Sequence, residues 1–116
     1  MFALNFYSDL YEEVLRTGRK TATIRLGDKS DKYQMGQLVW VTLGPRFARR
    51  QKLYAAILDR VETKVISDLS PRDIERENPE LRSHDEVITL LSRIYGEFVT
   101  PANLVTVIYF SRVDEL

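Results

Sequence analysis

The stretch LYEEVLRTGRKTATIR, residues 10–25, joins a helical pattern to a strand pattern with almost no loop between them. A helix is predicted over residues 9–17, with Ser8 as its N-cap and Gly18 at a position where helices commonly end. The apolar face of this helix comprises Leu10, Tyr11, Val14 and Leu15. We therefore expect the helix to lead directly into a strand.

That strand is predicted over residues 21–26. Because successive strand side chains alternate, Thr21, Thr23 and Arg25 should share the face opposite the core, about 7 Å apart along the strand. This row offers a hydroxyl nucleophile and a guanidinium that can hold an anion. Strict alternation puts Lys20 on the core side, so the preceding turn must rotate its amine into any cleft. A Thr-rich strand beside basic residues is also typical of a solvated sheet face.

Hydrophobic patterns predict four more strands and two more helices. The strands are expected at residues 2–6, 37–43, 52–65 and 104–113, the third being continuous or bent into two. Ser70 and Ser83 are the predicted N-caps of the helices. Because loops rather than regular helical crossovers separate most strands, the order favours an α+β fold built on a small antiparallel or mixed β-barrel.

The composition predicts one domain over residues 1–116, without a linker or a low-complexity tract. There is no cysteine and only one histidine, His84, which excludes thiolate and multi-histidine metal sites, so no metal and no cofactor are expected. No apolar run approaches the roughly 20 residues of a membrane-spanning helix. The first residues lack a secretory signal, which predicts a cytoplasmic protein with no membrane partner.

Charge is unevenly distributed although the net charge is zero. Basic residues concentrate at 16–32 and 46–52, whereas residues 68–86 are mostly acidic, so the two basic segments are expected to form one basic face. Phe47 lies among arginines that include Arg49. An aromatic ring in that setting can stack on a base while the arginines hold phosphates, or it can pack on the barrel as a lid.

Five segments taken together resemble the ASCH domain family, a branch of the PUA-like fold. They are LYEEVLRTGRKTATIR, YQMGQLVWV, ISDLSPRDIEREN, SHDEVITLLSRIYG and VTVIYF, and the resemblance extends from about Phe6 to Phe110. It implies a PUA-like small mixed β-barrel with flanking helices and a cleft. It also implies RNA or a nucleotide-like molecule as ligand.

One similar subgroup comprises small amidohydrolases that remove the acyl group of N4-acetylcytidine. A lysine and a threonine of the GRKTxTIR segment and a glutamate of an ExEN helix are implicated in its catalysis. The matching positions here are Lys20, Thr23 and Glu77. The resemblance therefore implies a small modified pyrimidine nucleoside as substrate, although the loop GPRFARRQK and the insert PELRSHD are longer here than in the subgroup.

Amide hydrolysis without a metal needs a nucleophile, a proton carrier and a donor for the oxyanion. Thr23 can attack or can position a water molecule. If Lys20 and Glu77 touch, the carboxylate is the expected proton carrier and the ammonium steadies the oxyanion. If they are apart, Lys20 is the base, which requires its pKa to fall from about 10.4 towards 7 or 8.

Substrate binding is assigned to residues around this segment and on the second basic loop. They are Arg19, Thr21, Arg25, Phe47 and Arg49. Arg25 has a second interpretation as the ion-pair partner of an acidic side chain. The alternative function for the whole chain is a non-enzymatic RNA-binding module, whose affinity would fall steeply with salt.

Overall fold

The computed structural model describes residues 2–7, 9–45 and 48–114. Ser8, the predicted N-cap, and Phe47, a predicted substrate-binding residue, lie outside these ranges. The strands are β1 (Phe2–Phe6), β2 (Ala22–Leu26), β3 (Leu38–Leu43), β4 (Gln51–Val65) and β5 (Leu104–Val113). The helices are α1 (Glu12–Arg16), α2 (Pro71–Glu77) and α3 (His84–Tyr95), and short 3-10 turns cover Asp9–Tyr11 and Ile66–Asp68. The strand predicted at 52–65 is thus continuous, and the helix predicted at 9–17 is a 3-10 turn followed by α1.

The five strands form one sheet in the order β1-β3-β4-β5-β2. β1 and β3 run parallel, and the other three neighbouring pairs are antiparallel. The sheet curls into a half-barrel, so its two outermost strands, β1 and β2, face each other across an open seam. At the seam the Arg25 guanidinium carbon in β2 lies 4.8 Å from the centre of the Phe6 ring in β1. The prediction of an α+β, barrel-like fold is confirmed.

β4 bends the sheet because it is long enough to pair with two different strands. Its first half pairs with β3, while residues 55–65 pair with β5. Asp59 is an extra residue between the paired positions Leu58 and Arg60, which makes a β-bulge. A bulge bends the strand and increases its twist, and here it lets one continuous sheet wrap around the core.

Two hydrophobic clusters hold the helices to the sheet. One joins Leu15 of α1 to Leu4 of β1 and to residues of β3. The other joins Ile74 of α2 and Val87 of α3 to Ile24 of β2. Burial of each such side chain stabilises the fold by about 1.5–3 kcal/mol, so α2 is fixed firmly beside β2.

The helix starts follow the predicted caps. Ser70 Oγ accepts a hydrogen bond from Asp73 N at 3.0 Å, and the Asp73 carboxylate accepts one from Ser70 N at the same distance. Ser83 Oγ accepts from Glu86 N at 3.2 Å at the start of α3. α3 has 12 residues, and none of the helices in the described ranges has the length and hydropathy needed to cross a membrane.

Candidate active site

Lys20 lies in the short link between α1 and β2, and its side chain is fully buried at the seam. Its backbone N–H donates to Val14 O at 2.9 Å, which turns the link back against α1. Because β2 begins only at Ala22, strand alternation does not govern Lys20. Its amine lies between the Glu77 carboxylate and the rings of Phe6 and Tyr11.

The Lys20 ammonium makes three short polar contacts. Nζ lies 2.9 Å from Glu77 Oε1, and it donates to Glu77 O at 2.6 Å and to Ala22 O at 2.8 Å. The ring centres of Tyr11 and Phe6 lie 4.5 and 5.4 Å from Nζ, which adds cation–π stabilisation. The contact between Lys20 and Glu77 considered from the sequence is present.

Glu77 ends α2 and is only 2% exposed, unlike its exposed neighbour Glu75 on the same helix. Its Oε2 accepts a hydrogen bond from Ile24 N at 2.6 Å, while Oε1 faces Lys20. The carboxylate therefore occupies the place beside β2 that a neighbouring strand would take, and it connects α2 to the segment that contains Thr23.

Thr23 lies between the two peptide groups that this ion pair holds. Lys20 binds the carbonyl of Ala22, and Glu77 binds the N–H of Ile24. Thr23 is 3% exposed, and its Oγ1 accepts a hydrogen bond from Arg25 Nε at 2.9 Å. Lys20, Thr23 and Glu77, which are distant in sequence, are thus gathered around one short piece of β2.

A small cavity, which we name the seam cavity, opens beside Thr23 between β1 and β2. Its volume is about 40 Å³, room for roughly three water molecules. Its lining includes Phe6 and Tyr7 at the end of β1, Thr23 and Arg25 of β2, and Ile94 and Tyr95 of α3. Among buried side-chain polar atoms of the described residues, only Arg25 Nη2 has no hydrogen-bond partner, so it is available to a ligand.

Burial lowers the pKa of Lys20 to about 8, with Arg25 acting in the same direction and Glu77 opposing both. Burial, together with the Glu77 carboxylate, raises the pKa of Tyr11 far above its usual range. Tyr11 therefore stays protonated as a neutral donor beside the carboxylate. No group of three or more histidine, aspartate or glutamate side chains in residues 2–7, 9–45 and 48–114 is placed to hold a metal ion.

The predicted substrate-binding residues do not all reach this site. Arg25 lines the seam cavity, whereas Thr21 lines a second, larger cavity on the β5 side. Arg19 and Arg49 are exposed and line neither cavity. The expected basic face from the two basic segments therefore does not border the seam cavity. Among the described basic residues of those segments, Arg25 is the one that lines it.

The sequence interpretation missed three polar side chains of the seam cavity. Tyr11 was assigned only to a helix face, yet it packs on Lys20. Tyr95 Oη accepts from Leu26 N at 3.2 Å and lies at the cavity wall. Asn5 is buried in β1, where its Oδ1 accepts from Thr42 Oγ1 at 2.7 Å. A polar residue within the apolar strand FALNF was the one available signal.

No protein-family model and no curated protein matches the sequence. Solved structures with a similar fold include protein EF3133 from Enterococcus faecalis V583, of the family-model DUF984. It is 18% identical, with a TM-score of 0.70 over 97% of this chain and 79% of that one. The ASCH domain from Lactobacillus crispatus JV V101 is 15% identical, with a TM-score of 0.63 over 95% of this chain and 77% of that one.

The hypothetical protein PH0355 is 15% identical, with a TM-score of 0.66, and the match covers 97% of this chain and 98% of that one. All three matches extend over nearly the whole chain, and at these identities they speak to the fold. The chain thus shares its fold with these structures, one of which is an ASCH domain.

Proposed function

We propose that the protein is a metal-free amidohydrolase for N4-acylated cytidine or cytosine-type nucleosides, which converts N4-acetylcytidine and water to cytidine and acetate. The observation that carries the proposal is the buried ion pair of Lys20 and Glu77, which grips the peptide groups on both sides of Thr23. These are the residues that the family resemblance implicates. A buried charge pair beside a cavity is typical of functional sites, because burying ions is unfavourable for packing alone.

In the proposed mechanism Thr23 is the nucleophile. Its hydroxyl oxygen attacks the acyl carbon while its proton passes to the Glu77 carboxylate. The Lys20 ammonium, which contacts Glu77, supplies the positive charge that steadies the oxyanion. The C–N bond then breaks as Glu77 returns the proton to N4 of cytosine. Water, deprotonated by Glu77, cleaves the threonine ester, releases acetate and restores the hydroxyl.

The seam cavity suggests how the substrate is placed. Its volume of about 40 Å³ suits an acetyl group and is too small for a pyrimidine ring. The base would therefore lie at the mouth, beside the partly exposed rings of Tyr7 and Tyr95, which are 48% and 37% exposed. Arg25 Nη2, which has no partner, would donate to a carbonyl oxygen of the substrate.

The direct test is incubation with N4-acetylcytidine and chromatographic detection of cytidine. Thr23→Val keeps the side-chain shape and removes the hydroxyl, so kcat should fall by about 10⁴-fold or more. Thr63→Val, at an exposed position in β4, is the matched control and should keep full activity. Wild-type protein that releases no cytidine would overturn the proposal, and an active Thr23→Val would remove Thr23 as nucleophile.

Glu77 has a matched control on its own helix. Glu77→Gln can still accept the hydrogen bond from Ile24 N, but it cannot carry the proton, so kcat should fall by about 10²–10⁴-fold. Glu75→Gln changes the same charge at an exposed position and should have no effect. Equal activity of the two variants would exclude Glu77 as the proton carrier.

A non-enzymatic RNA-binding module is the second candidate, and one observation favours it: three arginines line the larger cavity on the β5 side. Binding of an oligoribonucleotide that weakens steeply with salt, together with no hydrolysis of any N4-acylated cytidine, would support this function over the enzyme.

A further inference from the structure

The larger cavity, of about 430 Å³, lies beside the end of β5 that extends beyond β2. β2 pairs with β5 only as far as Ala22 opposite Tyr109, whereas β4 accompanies β5 to Val113. α2 and the link between α1 and β2 border the space left open. Because it is lined by Arg72 and Arg76 of α2 and Arg112 of β5, we name it the arginine groove.

Two of these arginines have no hydrogen-bond or ion-pair partner among the described residues. Arg72 and Arg76 are four residues apart on α2, so their side chains lie on the same side of the helix. Neither guanidinium makes a hydrogen bond or an ion pair with any residue that the structure describes. Arg112 has only a peripheral pairing, with Nε 3.5 Å from Oδ1 of the exposed Asp114.

The groove therefore has an excess of positive charge. Asp59 is its one acidic lining residue, and the Asp59 carboxylate already accepts a hydrogen bond from Ser111 Oγ. Three guanidinium groups around one cavity repel each other unless an anion lies between them. Their planar forks suit the paired oxygens of a phosphate, and the volume is within the usual range of ligand sites.

The groove also presents an aromatic ring. Tyr54 lines it, and the Arg112 guanidinium carbon lies 4.9 Å from the Tyr54 ring centre. Rings held in this way beside arginines can stack a base or a sugar while the arginines hold phosphates. The combination indicates a nucleotide rather than a simple inorganic anion.

The arginine groove and the seam cavity lie on two sides of the same buried residue. Lys20 lines the groove, while its ammonium is packed on Tyr11, which lines the seam cavity. Thr21, also in the groove wall, precedes Thr23 by two residues, about 7 Å along the chain. The two cavities are therefore adjacent.

We propose that the arginine groove binds a phosphate ester attached to the cytidine whose acyl group occupies the seam cavity. The preferred substrate is then a phosphate-bearing N4-acylated cytidine, as a mononucleotide or as a residue of an RNA strand, rather than the neutral nucleoside. This inference rests on the proposed amidohydrolase function.

The test compares three substrates: N4-acetylcytidine, its 5′-monophosphate, and a short oligoribonucleotide with one N4-acetylcytidine. We expect KM for at least one phosphate-bearing substrate to be about tenfold or more below KM for the nucleoside. The double variant Arg72→Gln/Arg76→Gln should remove this advantage and leave kcat/KM for the nucleoside unchanged. Arg93→Gln, an exposed arginine on α3 outside both cavities, is the charge-matched control.

Each outcome decides the inference. An advantage for the monophosphate assigns the groove to a phosphomonoester, and one confined to the oligonucleotide assigns it to a phosphodiester strand. Equal KM values, or an advantage that survives in the double variant, overturn it. If none of the three is hydrolysed, the amidohydrolase proposal fails by itself. Fluorescence anisotropy of a labelled oligoribonucleotide then tests whether the groove binds phosphate esters. Binding that is lost in the double variant supports this assignment, and the absence of binding overturns it.

Discussion

The charged side chains beside the seam cavity and those of the arginine groove differ in whether they are paired. Beside the seam cavity the Lys20 ammonium is fully buried, in contact with the Glu77 carboxylate and packed on the Tyr11 ring. In the groove Arg72 and Arg76 are unpaired among the described residues. Groups that act on a reacting bond gain from being held rigidly in advance, whereas groups that attract an anion must keep their hydrogen bonds available for it.

The largest difference between the two regions is expected in how far a substitution lowers the free energy of unfolding. Lys20→Met leaves the Glu77 carboxylate buried without its counter-charge, so the free energy of unfolding should fall by about 3–5 kcal/mol. Arg72→Gln, in the groove, should change it by less than about 0.5 kcal/mol. Urea denaturation measures both. Lys32→Met is the control for loss of an exposed lysine, and an equal effect of the two lysine variants would contradict the importance of the buried pair.

A second difference between the cavities is expected in the effect of acyl chain length on kcat/KM. The seam cavity of about 40 Å³ leaves no room for a longer chain, so N4-butyrylcytidine should have a kcat/KM about tenfold or more below that of N4-acetylcytidine. The ratio should be the same in Arg72→Gln, because the groove does not contact the acyl chain. Equal turnover of both substrates would show that the acyl group is held elsewhere.

The pH profile gives the most diagnostic effect. Burial lowers the pKa of Lys20 to about 8. If the ammonium steadies the oxyanion, kcat falls as pH rises through this value, by about tenfold per unit above it. If the neutral amine were the base, kcat would instead rise towards pH 8 and then level off. Measurement of kcat from pH 6.5 to about 9.5 decides between the two roles.

Much of the fold could be predicted because it depends on local patterns. The alternation of β5 and the Ser70 cap of α2 are visible in a few consecutive residues, and both were found close to their observed positions. The Asp59 bulge was not predicted, since an extra residue in β4 is defined only by its pairing with β5. Local sequence does not contain that register.

The candidate site, too, could be predicted only in part. The motif resemblance supplied Lys20, Thr23 and Glu77, but not the contacts by which the pair holds the peptide groups beside Thr23. The arginine groove was overlooked because α2 lies in a segment that is acidic on average. Only the four-residue spacing of Arg72 and Arg76 and the position of β5 place those charges together.

The contacts along the outer side of β2 have a consequence beyond the proposed catalysis. Three outward backbone groups of this strand are hydrogen-bonded to side chains: the Ala22 carbonyl to Lys20, Ile24 N to Glu77 and Leu26 N to Tyr95. A border strand with unoccupied backbone groups is a template on which another polypeptide can add itself. The same ion pair that binds the peptide groups beside Thr23 therefore shields the protein from intermolecular β-sheet growth, so selection against aggregation would also favour keeping it.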